Sequence, residues 1–166
     1  MSPVADRQEI RAPVTYQEWL ACLDMMKSGT EAGNAAFDAA CMGSFAGSEV
    51  TRTALQRQIV ETVNAVLNRS TRRFLKNLND NIAFNELAQT ELLFKRLKKD
   101  VNRVMFFTKL SFLPGEFRRE LEESVREQMT RFWNDTVGFL CRQSVEFSNS
   151  ELEDALFLIR RIKLFQ

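Results

Sequence analysis

From Ser48 to Leu113 the chain runs 66 residues without a proline or a glycine. With neither backbone breaker present, regular structure can propagate through the whole stretch. Its apolar residues recur at intervals of three and four. Leu55, Ile59, Val63, Val66, Ser70, Phe74 and Leu78 form one stripe. Ala83, Leu87, Thr90, Phe94, Leu97, Val101, Val104 or Met105, and Thr108 form a second. That is the period of helices with one buried face, not the alternation of a strand. A single helix of this length would reach about 100 Å at 1.5 Å per residue. Two features favour a turn instead. The stripes are out of phase by roughly half a turn on a 3.6-residue wheel. Between them "NLNDN", 77–81, carries Asn and Asp side chains that compete for backbone hydrogen bonds. A break near 79–82 is expected.

The flanking segments extend the same pattern. Thr15 and Glu18 make a capping box, and Gly29 is placed to end the helix they open. Tyr16, Trp19, Leu20, Leu23 and Met26 lie on its apolar face. A short helix of small residues around Phe37 is expected over about 31–42. Pro114-Gly115 marks a second break, because the residue before a proline is pushed out of helical geometry. The third long helix carries Phe117, Leu121, Val125, Met129 or Phe132, Thr136, Phe139 or Leu140, Gln143 and Phe147. A third break is expected near 148–150, where Ser150 and Glu153 suggest another capping box. It opens a helix over about 151–165, with Leu152, Leu156, Ile159 and Ile162 on one face. Residues 1–14 hold two of the three prolines and no periodicity, as in a flexible arm. The fold expected over 15–166 is one all-α domain, an antiparallel helical bundle. Three long helices are joined by a shorter C-terminal helix and two short N-terminal ones.

Much chemistry is missing from the composition. The chain has no histidine, which removes Ser-His-Asp and Cys-His catalysis and imidazole ligation of zinc or haem. Neither glycine-rich phosphate cradle occurs. Glu120, Glu123 and Glu127 share a helical spacing, but Arg119 and Arg126 interleave with them, as on a solvated face. Cys22, Cys41 and Cys141 are odd in number and lack a C-x-x-C spacing, as expected of inert core thiols in a reducing compartment. No apolar run approaches the roughly 18 residues of a membrane span, and the N-terminus lacks a signal-peptide core. The expectation is a cytoplasmic protein without cofactor, metal or enzymatic activity.

Charge is uneven along the chain. Residues 69–109 hold ten Lys or Arg against four Asp or Glu, a net of +6, while the rest has thirteen against eighteen, or −5. Two basic stretches, "RSTRRFLK" and "KRLKKDVNR", supply Arg69, Arg72, Arg73, Lys76, Lys95, Arg96, Lys99 and Arg103. A turn near 80 would set Arg69 level with Glu91, and a turn at Pro114 would set Lys109 near Glu120 and Arg103 near Glu127. Such pairing would neutralise much of the charge. A small nucleic-acid-binding regulator using those eight residues is therefore the alternative function. The leading expectation is a protein-interaction module acting through apolar helix surfaces. The segment "VMFFTKLSFLPGEF" and the C-terminal helix are apolar on more than one side. Their surplus centres on Phe106, Leu110, Phe157 and Phe165, and a protein partner or a second copy in a homodimer would cover it.

Overall fold

The structure, a computed structural model, describes residues 10–84, 86, 89–147 and 149–165. Six α-helices and one 3-10 segment order these residues, and no strand occurs among them, as the all-α expectation requires. Helix α1 (Tyr16–Ser28) begins at the expected capping box. The Thr15 hydroxyl accepts the Glu18 N–H at 3.3 Å, and the Glu18 carboxylate accepts the N–H groups of Val14 and Thr15, each at 2.8 Å. Gly29 ends α1 at φ 69°, a left-handed conformation that other L-residues adopt at a cost. Helix α2 (Glu31–Ala40) starts on Thr30, whose hydroxyl accepts the Gly33 N–H. It lies close on α1: a Cβ at Gly33 would stand 2.6 Å from the Met25 carbonyl oxygen. The run of small residues in α2 is what allows that approach.

Helices α3 (Glu49–Ala83), α4 (Thr90–Val104), α5 (Gly115–Phe147) and α6 (Ser150–Ile159) follow, with the 3-10 segment Met105–Lys109 after α4. The chain forms two compact units, one comprising the residues up to Thr62 with Leu110–Leu113, the other Val63–Lys109 with the residues from Pro114 onward. In the first, Trp19 is fully buried, donates from its indole nitrogen to the Ser44 carbonyl at 2.7 Å, and lies 5.4 Å from the Phe112 ring. Phe112 in turn stacks on Phe45 at 5.7 Å. In the second, Phe74 meets Phe94 edge-on at 4.9 Å and Phe132 at 5.7 Å, and Phe94 meets Trp133 at 4.6 Å. Such edge-to-face pairs each add about 0.5–1.5 kcal/mol beyond area burial.

All seven residues of the first stripe are buried, so the periodicity located the inner face of α3 correctly. The turn is later than expected. "NLNDN" lies inside α3, which ends at Ala83, and α4 begins at Thr90. Asn79 and Asp80 are exposed, so water satisfies their side chains and they do not compete for the backbone. The Phe84 N–H still reaches the Asp80 carbonyl, and the Glu86 N–H then closes on the Asn81 carbonyl at 2.8 Å, which ends the helix. Ala83 is exposed, and Leu87 and the Phe147 side chain lie outside the described residues.

The middle helix also differs. α3 and α5 have 35 and 33 residues, but α4 has 15, because the backbone tightens to 3-10 geometry at Met105. Tightening rotates the following side chains. Phe107, Leu110 and Leu113 are buried, whereas Met105, Phe106 and Phe112 are half-buried. At α6 the cap is Asn149 rather than Ser150, its side-chain oxygen accepting the Leu152 N–H at 3.0 Å. α6 stops at Ile159, short of the expected 165, where the N–H groups of Arg161 and Ile162 bond three residues back. Cys22 is buried, donates to the Ala36 carbonyl, and has its pKa pushed up to about 11 by desolvation. Cys141 is half-buried. Cys41 is exposed rather than core, because it follows the last residue of α2. Of the N-terminal arm, residues 1–9 lie outside the described residues, while Pro13 is buried and accepts the Ser44 N–H at 3.0 Å.

Candidate anion-binding surface

Arg69, Arg72, Arg73 and Lys76 recur at three and four along α3, so the helix sets them on one side. With Ala65 and Asn68 they line one open hollow of about 590 Å³. Arg72, Arg73 and Lys76 are exposed and Arg69 is half-buried. A carboxylate of the next helix reaches this set. Asp100 of α4 accepts from Arg73 at 2.6 Å and from the buried Ser70 hydroxyl at 2.9 Å. Desolvation lowers the Arg69 pKa, Asp100 opposes that, and the neighbouring Arg73 charge adds to it. The guanidinium remains protonated at any physiological pH.

The later turn explains why Asp100 is the partner. Arg73 faces Asp100, and Glu91 pairs within α4 with Lys95 at 2.5 Å instead of crossing to Arg69. Glu127, expected near Arg103, pairs one turn along with Arg131 at 2.8 Å. Glu91 and Glu127 thus each make a pair within one helix, worth about 0.3–0.5 kcal/mol. Glu120 and Glu123 are exposed, as on a solvated face.

Sequence reasoning missed a second basic hollow. Lys95 and Lys98 of α4 meet Arg161, Ile162 and Lys163, which follow α6, around an open volume of about 370 Å³. A helix continuing to 165 would have spread Arg161 and Lys163 around its circumference. Of the other basic residues named from the sequence, Arg96 and Lys99 are exposed and Arg103 is half-buried. Arg96 borders a polar hollow with Asn77, Asp80, Asn81, Glu86, Gln89, Leu92 and Leu93.

The four residues of the apolar surplus separate. Leu110 is buried, Phe106 is half-buried against Phe107 at 4.1 Å, and Phe165 is half-buried with the Arg126 guanidinium 4.6 Å above its ring. Of the four, Phe157 alone is exposed, at 63%. Among the described residues no group of three His, Cys, Asp or Glu side chains is placed to hold a metal ion, and no helix is long and apolar enough to cross a membrane. No known family model, curated protein or solved structure matches the chain.

Proposed function

We propose that this chain is a non-enzymatic nucleic-acid-binding protein that grips phosphates through the basic face of α3, in the cytoplasm. The observation that carries the reading is the hollow that brings Arg69, Arg72, Arg73 and Lys76 together along one face of α3. From Arg69 to Lys76 the helix rises about 10 Å at 1.5 Å per residue, a length over which one strand of duplex DNA presents about three phosphates. Backbone contacts of this kind supply affinity without sequence preference. Association through apolar surfaces has less support, because three of its four residues are wholly or half covered within the chain.

Fluorescence anisotropy with a labelled duplex tests the reading. Three or four neutralised phosphates predict that affinity falls about 40- to 150-fold between 50 and 200 mM salt. Arg72→Glu with Lys76→Glu should abolish binding while leaving helical circular dichroism intact, since both side chains are exposed. Binding that is absent at 50 mM salt, insensitive to salt, or indifferent to the double variant overturns the proposal.

A further inference from the structure

The hollow beside the C-terminal segment adds to a concave cluster of cations, which the α3 face also has, an exposed aromatic ring next to one of them. Lys95, Lys98, Arg161 and Lys163 surround it. Arg161 also places its guanidinium 5.2 Å from the centre of the Phe157 ring. That contact occupies one side of a ring that remains 63% exposed. Among the described residues the charge is only partly compensated. Lys95 pairs with Glu91, and the acids of α6, Glu151, Glu153 and Asp154, fall in its first half, before Phe157.

A phosphate chain alone needs only cations, and an apolar partner alone would not want three lysines. A ligand with a flat π-face every few ångströms and a negative charge between successive faces uses both features. In duplex DNA those faces are stacked inward and out of reach, whereas a single strand offers them. We infer that this hollow binds single-stranded nucleic acid, a base stacking on Phe157 and Arg161 while Lys98 and Lys163 hold the adjoining phosphates. This rests on the reading of the protein as a nucleic-acid binder and assigns a strand preference to a second place on it.

The α6 backbone holds Phe157 in position. Leu152, Ala155, Leu156 and Ile159 are buried on the opposite side of that helix, so it projects Phe157 outward on a rigid support. The i→i−3 bonds after Ile159 then turn Arg161 and Lys163 toward α4.

The test compares a labelled single-stranded oligonucleotide with a duplex, each titrated across a salt series against wild type, Phe157→Ala, and Lys98→Ala with Lys163→Ala. Loss of one stacked base predicts about tenfold weaker single-strand binding for Phe157→Ala. Its salt slope should be unchanged, because no counterion is released by an aromatic ring, and its duplex affinity should not move. The double lysine variant should lower the single-strand salt slope by about 1.4, at 0.7 per phosphate. Duplex binding with a Phe157→Ala variant indistinguishable from wild type on single strands overturns this inference and leaves the α3 reading standing. Binding of neither ligand by wild type overturns both. If Phe157→Ala changes only the sedimenting mass, Phe157 is a self-association contact and the inference fails.

Discussion

Asp100 is the only acid in the basic run 95–103, and its carboxylate holds Ser70 and Arg73 of α3 together. The two consequences of removing its charge have opposite signs. Asp100→Asn frees Arg73 and removes a negative charge from the basic face, so duplex affinity at low salt should rise several-fold. The amide oxygen can still accept from Ser70, so the stability loss in a urea titration should stay near 1 kcal/mol. Thr90 tests a different buried group. It is fully buried at the start of α4, and its hydroxyl has no hydrogen-bond partner among the described residues. Thr90→Val keeps the shape and removes the unpaired group, so it should raise stability by about 1 kcal/mol. A fall in stability would mean that the hydroxyl is satisfied in solution.

At the scale of elements, the helix starts carry specific chemistry. The N–H groups of Thr15 and Val14 hydrogen-bond the Glu18 carboxylate and lower its pKa. Because the folded value lies below the unfolded one, the cap stabilises α1 in full above the ordinary glutamate range. That contribution is lost as pH falls through the lowered value. Glu18→Gln should therefore lower the melting temperature near neutral pH and converge with wild type in strong acid. The contact of α1 with α2 depends on Gly33, where a Cβ meets backbone rather than a side chain that could swing away. Gly33→Ala should cost about 1–3 kcal/mol by forcing the helices apart, despite the better helix propensity of alanine. A stabilised Gly33→Ala variant in thermal denaturation would contradict the close approach. The capping box and the αL glycine were both readable because each is a pattern within four residues.

For the whole molecule, ligand linkage gives the broadest test. Duplex DNA that binds only the folded chain should raise its melting temperature in 50 mM salt, less so in 200 mM, and not at all in the Arg72→Glu, Lys76→Glu variant. The sequence by itself determined that the chain is helical, where α3 buries its face, and how α1 starts and stops. Those features follow from the spacing of apolar residues and from local hydrogen bonds, which need only neighbours along the chain. It did not determine that α3 would run through "NLNDN", since exposed side chains such as Asn79 and Asp80 allow either a turn or a helix. Nor did it determine that α4 would tighten at Met105, or that Asp100 rather than Glu91 would face α3. A shift of a few residues in a turn moves every partner across it by more than one helical turn. The second hollow is the clearest case. Lys98, Phe157 and Lys163 lie on separate segments, and only the tertiary structure decided that α4 and the residues after α6 would bring their charges beside one exposed ring.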